Sequence, residues 1–126
     1  MTLLQIETRH VEPDITILEF TGNITAAESR RVEVLVEDLL KQNYRKLVFD
    51  LTEVNYIDSS GMGSIAHCFA RAIRNDGGLR VAGVNSRVKH LFHLTRLDAV
   101  FPFYATSLAA CAGFEPAAKP GEQLLW

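Results

Sequence analysis

The chain has 126 residues, and its 13 Lys and Arg against 15 Asp and Glu give a net charge of −2. Hydrophobic residues make up 48% and charged residues 22%, as in an average globular domain, which excludes a disordered or low-complexity chain. Near-neutral charge without a basic run argues against a nucleic-acid binder, and no apolar run approaches the roughly 18 residues of a membrane span.

The first part of the chain predicts two strands joined by a turn. Residues 3–8 predict a short strand, and residues 15–20, rich in β-branched and aromatic side chains, predict a second. The four-residue link 11–14 contains Pro13 beside an aspartate, which is typical of a turn. A link this short favours an antiparallel pair.

An amphipathic helix is predicted after the second strand. Gly22 ends the strand, and apolar residues then recur at helical spacing as far as about Gln42. Thr25 and Glu28 have the spacing of a capping box, in which each side chain accepts a hydrogen bond from the other residue's backbone N–H. We therefore expect the helix to begin at Thr25.

A buried strand and a second helix come next. Residues 46–51 contain the apolar run typical of a strand covered on both faces. Residues 60–75 predict a helix with a broad apolar face that includes Cys68. Its other face is polar and consists of Ser64, His67, Arg71 and Arg74. We interpret the two arginines as solvated, with contact to an acidic partner as the alternative.

The remaining elements continue this alternation. Residues 79–84 predict a buried strand, and Ser86 is expected to cap a third helix. An edge strand within 100–104 and a short helix at 107–112 follow, and residues 114–126 are expected to form a tail. Strands that alternate with helices after an opening hairpin predict an α/β sandwich with a mixed sheet.

The segment before the second helix carries the strongest functional signal. Asp58, Ser59 and Ser60 are all good N-cap residues, and they follow a buried strand, where α/β proteins commonly meet ligands and partners. Gly61 and Gly63 allow tight packing or close approach of another molecule. The simplest interpretation is an ordinary helix cap with two packing glycines.

Two enzymatic interpretations of this segment fit poorly. A hydrolase nucleophile elbow requires glycine two residues before the serine, but Ile57 and Asp58 occupy those positions. Residues 61–66 fit the dinucleotide-binding fingerprint, but the preceding strand ends about ten residues too early and no acidic residue closes the next strand. We therefore keep a nucleotide-binding protein only as the third hypothesis, after the two that are given below.

At these residues the sequence resembles the STAS family, specifically the anti-sigma factor antagonists. Residues 58–63, Asp-Ser-Ser-Gly-Met-Gly, are similar to the family's phosphorylation motif. Phe-Thr-Gly at 20–22 resembles the glycine-ended strand of the family, and residues 88–92 resemble its third helix. The resemblance covers residues 3–111. It implies a STAS-like sandwich of a mixed four- to five-stranded sheet with about four helices, as one domain over residues 1–113.

The resemblance also implies a switch without catalysis or cofactor. Ser59 would accept phosphate from a serine kinase that is also the anti-sigma factor, and a serine phosphatase would reset it. Asp58 would position the Ser59 hydroxyl, Ser60 would help to cap the helix, and Gly61 and Gly63 would support the loop. The unphosphorylated form would bind the kinase.

The sequence departs from the family beside this motif. Asn23 and Thr25 stand where relatives carry acidic residues, so the family's aspartate near the phosphoacceptor is absent. Asn23, Thr25 and Met62 are our predicted partner contacts, with core packing as the alternative for Met62. A STAS scaffold subunit of a signalling or transporter complex, without phosphorylation, is the second hypothesis. The oligomeric state is not predicted.

The other candidate residues point to ordinary roles. His90 and His93 have a spacing that can hold a metal, but no third ligand is evident, so no metal site is predicted. Cys68 and Cys111 are too few for a disulfide framework. The first residues also lack the pattern of a signal peptide. Together these features predict a cytoplasmic protein.

Overall fold

The computed structural model describes residues 3–114. Five strands and four helices alternate after an opening hairpin, with one short 3₁₀ turn before the last strand. In chain order they are β1 (Gln5–Val11), β2 (Ile15–Thr21), α1 (Ala26–Lys41), β3 (Lys46–Glu53), α2 (Ser59–Arg74), β4 (Gly78–Ala82), α3 (Ser86–Leu94), the 3₁₀ turn (Leu97–Ala99), β5 (Phe103–Tyr104) and α4 (Ser107–Phe114).

The strands form one mixed sheet in the order β1-β2-β3-β4-β5. The first two strands pair antiparallel, as the short turn between them predicted. The three pairs that follow are parallel, because a helix crosses over between most successive strands. The predicted α/β sandwich with a mixed sheet is confirmed. The last strand is shorter than predicted and holds two residues, Phe103 and Tyr104.

The two faces of the sheet are covered unequally. Alternate residues of a strand point to opposite faces, so Leu18 and Phe20 face one side while Ile15 and Ile17 face the other. The first side carries the main core, which includes buried residues of α1, α2 and α3. The second side holds a smaller cluster that joins the strands to α4. This second face is therefore less covered where it approaches β1.

One predicted helix cap is wrong, and another has the predicted position without the predicted hydrogen bonds. Thr25 stands at the N-cap of α1, but its side chain accepts no capping hydrogen bond, and Glu28 pairs instead with Arg31 at 3.2 Å. At the start of α3 the cap is Asn85, whose side chain accepts from the backbone N–H of Val88 at 2.9 Å, and not Ser86. At α3 both Asn85 and Ser86 are chemically able to cap, so the tertiary path of the chain decides which one does.

The polar face of α2 packs on α1 and is not solvated as a whole. Ser64 is buried, and its hydroxyl donates to the backbone carbonyl of Ser29 at 2.8 Å. Arg71 donates from Nε and from one terminal nitrogen to the carboxylate of Glu37. The interpretation of Arg71 as a solvated residue is therefore corrected.

The C-terminal helix is longer than predicted. α4 continues through Gly113 to Phe114, and the guanidinium carbon of Arg80 lies 4.5 Å from the centre of the Phe114 ring. Phe114 therefore belongs to the domain, which corrects the predicted start of the tail. The rest of that tail, residues 115–126, lies outside the described residues. Within residues 3–114, no helix has the length and apolar character needed to cross a membrane.

Candidate functional site

The loops that follow β2 and β3 run side by side and hold each other in place. The Gly22 N–H donates to the carbonyl of Glu53 at 3.2 Å, and the Ile24 N–H donates to that of Tyr56 at 3.1 Å. The Asp58 N–H returns to the Ile24 carbonyl at 3.1 Å, and Ile24 forms a parallel bridge with Ile57. These bonds bring the first residues of α1 and α2 together at the carboxyl ends of two adjacent parallel strands.

Asp58 ties the two helices to each other. Its Oδ1 accepts from the Gly61 N–H at 2.8 Å, which makes Asp58 the N-cap of α2. Its Oδ2 accepts from the Ala26 N–H, the first residue of α1, at 3.0 Å. A carboxylate beside two helix N-termini is stabilised by both helix dipoles. The prediction that Ser60 caps α2 is wrong, because Asp58 fills that position.

Ser59 and Ser60 occupy the first two positions of α2, and both are exposed. Neither hydroxyl has a hydrogen-bond partner among the described residues, so the predicted contact by which Asp58 positions the Ser59 hydroxyl is not present here. The first backbone N–H groups of a helix have no partner within the helix. A phosphate on either serine would lie close to these donors, which is a favourable position for an anion.

The two glycines of the motif have different surroundings. Gly61 is buried, and a Cβ at this position would overlap the backbone carbonyl oxygen of Ile24 and lie 2.8 Å from Cγ2 of Ile57. Gly63 is exposed, and a Cβ there would have no neighbour within 4 Å among the described residues. Gly61 is thus required by the packing of the two loops, whereas nothing within the described chain requires Gly63.

The predicted contact residues lie in different environments. Asn23 is exposed and Thr25 half-buried, and both belong to the loop that runs beside residues 57–59. Met62 is only 3% exposed and packs in the main core, so the alternative of core packing describes its side chain and the predicted surface contact does not. Tyr56, which the sequence analysis did not select, is 45% exposed beside the motif.

A polar anchor that was not predicted lies within β3. The Asp50 carboxylate accepts hydrogen bonds from the hydroxyls of Ser107 and Thr52 and from the Thr52 N–H at 3.0 Å. Burial acts to raise the pKa of Asp50, but these hydrogen bonds outweigh it and lower the pKa below its ordinary value. The signal in the sequence that could have indicated this anchor is an aspartate inside an otherwise apolar strand.

The weaker candidates find structural roles. The His93 Nδ1 lies 2.8 Å from an Asp98 carboxylate oxygen, and residues 3–114 contain no group of three or more His, Cys, Asp or Glu able to hold a metal. Cys68 is buried, as predicted, and burial raises the pKa of its thiol to about 12. The dinucleotide-binding fingerprint is misplaced, because α2 begins at Ser59 and its glycines lie inside the helix.

The chain is similar in sequence to known proteins. Residues 5–110 match the family described as STAS domain. The anti-sigma-B factor antagonist of Listeria monocytogenes is 28% identical over 97 residues, which cover 77% of this chain and 85% of that protein. The similarity therefore extends over most of both chains.

Two solved structures have the same fold. An anti-sigma factor antagonist from Mycobacterium paratuberculosis superposes with a TM-score of 0.78 at 21% identity and covers 88% of this chain and 93% of its own. The Bacillus cell fate determinant SpoIIAA in its phosphorylated form gives a TM-score of 0.69 at 13% identity, over 86% of this chain and 97% of its own. At identities this low, the superpositions show that the fold is shared and carry no argument about function.

Proposed function

Because the chain belongs to the STAS domain family, we propose that it is an anti-sigma factor antagonist switched by phosphorylation of Ser59. In its unphosphorylated form it binds an anti-sigma factor that is also a serine kinase, and the sigma factor is released. The name of the Listeria relative supports this class of function. The observation that carries the proposal is Ser59 itself, an exposed serine at the first position of a helix in the motif that resembles the family's phosphorylation site.

The switch acts through the interface and leaves the fold intact. A phosphate on Ser59 adds a charge of about −1.5 to −2 at pH 7 beside the Asp58 carboxylate. The N-terminus of α2 offsets part of that charge within the protein. A partner surface fitted to a small hydroxyl would have to desolvate a dianion, so binding is lost. A serine phosphatase restores the binding form.

In this proposal the protein binds and does not catalyse. The chemistry of phosphate transfer belongs to the kinase, and this chain supplies the acceptor hydroxyl and a fixed loop around it. Asn23 and Thr25 lie in the loop beside the acceptor and are proposed to contact the partner. The protein would act in the cytoplasm, where its partners are found.

Phosphorylation is tested with the candidate kinase encoded in the same genome. The purified protein is incubated with that kinase and ATP, and the added phosphate is located by mass spectrometry. We expect one phosphate on Ser59, lost in Ser59→Ala and retained in Ser60→Ala. Ser60 is a suitable control because its hydroxyl is also exposed and stands one residue away. Phosphate on Ser60 in the wild-type protein would overturn the assignment of Ser59.

Binding is tested with the same kinase by titration calorimetry. Ser59→Ala should bind as the wild type does, and Ser59→Asp should bind at least about tenfold more weakly, because a carboxylate partly mimics the phosphate charge.

The second candidate function is a STAS scaffold subunit, which the absence of an acidic residue at Thr25 favours. Ser59 without phosphate and intact binding to a large assembly would select that function, and tight ATP binding by the isolated chain would select a nucleotide-binding protein.

A further inference from the structure

Within residues 3–114, the outer edge of β1 has no neighbouring strand. β1 is the first strand of the sheet and pairs with β2 alone among the strands of residues 3–114. In an antiparallel strand, alternate residues direct their N–H and C=O groups to opposite sides, so about half of the backbone groups of β1 face away from β2. From this edge we infer that two copies of the chain associate by antiparallel pairing of their β1 strands about a two-fold axis at Thr8.

The geometry of β1 leaves few registers for such a pair. Residues directly opposite each other in an antiparallel sheet point to the same face. In a continuous sheet with a two-fold axis normal to it, one residue must therefore lie opposite its own counterpart, with the axis midway between the two. Near the middle of the strand that residue can be Glu7, Thr8 or Arg9. The axis at Thr8 is the one that overlaps all seven residues of β1 with their counterparts.

Charge selects the same register. With the axis at Thr8, Glu7 lies opposite Arg9 of the second copy, and symmetry creates this pair twice. An axis at Glu7 would place two glutamates opposite each other, and an axis at Arg9 would place two arginines opposite each other. Opposite charges at directly opposed positions stabilise a strand pair, and like charges destabilise it. The strand is therefore complementary to itself in one register.

The charges around β1 within one copy also favour this contact. Glu7 lies directly opposite Glu19 of β2, which is a pair of like charges. Arg9, whose side chain is 59% exposed, lies 3.8 Å from the Glu19 carboxylate, and Glu7 has no salt bridge within residues 3–114. Glu7 and Glu19 line a cavity of about 340 Å³ together with Asp50 and Glu53. Arg9 of the second copy would bring a positive charge to Glu7, on the β1 side of this acidic cavity.

An apolar contact extends the pairing beyond the strand. Leu3 is 69% exposed just before β1, although a leucine side chain gains free energy when it is buried. In the register centred on Thr8, Leu3 lies just beyond the paired residues, near the turn at residues 12–14 of the second copy. Ile6 is half-buried at the same edge and would be covered further.

Sedimentation equilibrium of the full chain tests this association. We expect a monomer–dimer equilibrium that weakens as salt is added, because the paired charges are exposed. Glu7→Arg and Arg9→Glu should each raise the dimer dissociation constant by about tenfold or more, since each replaces two attractive pairs by repulsive ones. The double variant Glu7→Arg/Arg9→Glu should restore the wild-type constant. Arg87→Glu makes the same change of charge on α3 and should leave the constant unchanged.

The register is tested by cross-linking. Thr8→Cys should be joined to its counterpart by a short bis-maleimide, whereas Thr106→Cys, exposed at the start of α4, should not.

A protein that stays monomeric at several hundred micromolar would overturn the inference. The inference would also be overturned if Glu7→Arg and Arg9→Glu left the dimer dissociation constant unchanged, or if the double variant did not restore the wild-type value. Circular dichroism of each variant excludes unfolding as the cause. Phosphorylation of Ser59 in a monomeric Arg9→Glu variant would leave the proposed function standing.

Discussion

Gly61 and Gly63 stand two residues apart, yet they should respond oppositely to the same substitution. Gly61→Ala places a Cβ against the Ile24 carbonyl, and we expect it to lower the free energy of unfolding by about 2–3 kcal/mol. Gly63→Ala meets no neighbouring atom and should raise it by up to about 1 kcal/mol, because alanine favours a helix more than glycine does. Urea unfolding of both variants measures the difference. Equal effects would contradict the described packing of the two loops.

Cys68 should be inert in the folded protein. Burial raises the pKa of its thiol to about 12, so the reactive thiolate is scarce at neutral pH and the sulfur is also shielded. In a Cys111→Ala background, the reaction of Cys68 with an aromatic disulfide reagent at about pH 8 should be at least about 100-fold slower in the folded chain than in urea. Rapid reaction without denaturant would show that α2 opens readily.

The raised pKa also gives Cys68 a defined effect on stability. The folded state holds the thiol in its protonated form, so the contribution is complete below the ordinary thiol pKa. It is lost as the pH rises toward the folded value of about 12. At neutral pH this group therefore contributes no pH dependence to unfolding.

At the scale of elements, Asp58 joins two helices through one carboxylate. Asp58→Ala removes the acceptors of both Gly61 and Ala26, and we expect a loss of about 2 kcal/mol, or about 1 kcal/mol for each helix start. Asp58→Asn keeps one carbonyl acceptor and should lose about half as much. Urea unfolding gives the energies, and the amide NMR signals of Ala26 and Gly61 show which acceptor is lost. Equal losses in the two variants would contradict the double role.

Asp50 joins α4 to the end of β3, and this attachment should weaken in acid. Its hydrogen bonds with Ser107 and Thr52 outweigh burial and lower its pKa, so the carboxylate stabilises the fold above its ordinary pKa. That contribution is lost as the pH falls through the lowered value.

The matched variant Asp50→Asn isolates this effect. Asparagine has nearly the same shape but no charge, so the wild type should exceed it in stability at neutral pH and lose that advantage as the pH falls through the lowered pKa of Asp50. Thermal unfolding of both proteins across this range measures the difference. An advantage that grows as the pH falls would contradict the direction of the pKa shift.

For the whole molecule, the sequence predicted the fold better than the contacts of its loops. The order of strands and helices follows from local periodicity, and the antiparallel hairpin follows from a short turn, so both are readable along the chain. Capping hydrogen bonds are not readable in this way, because Ser86 is as able to cap α3 as Asn85, which does so, and Thr25 stands at the N-cap of α1 without making the bond. The bond between Asp58 and Ala26 depends on how two loops meet across 32 residues, which no local pattern records.

Phosphorylation should change the charge of the molecule far more than its shape. The chain carries a net charge of −2, and one phosphate adds about as much again at pH 7. Isoelectric focusing should show the acidic shift, while the amide NMR signals should change mainly in residues 23–26 and 57–63. Ser59 is exposed and its hydroxyl has no hydrogen-bond partner in the described part of the chain, so no packing has to break. Changes spread over the sheet would contradict a switch confined to the interface.

The bond from the Ala26 N–H to Asp58 has a consequence for folding. It closes a loop that contains α1 and β3, and such a contact forms only after its two distant ends have been brought together. Deuterium exchange at Ala26 therefore reports the completed β2-α1-β3 crossover, not the fraying of α1 alone. Ser59 follows Asp58 directly. The same bond therefore holds Ser59, the proposed phosphorylation site, beside the start of α1.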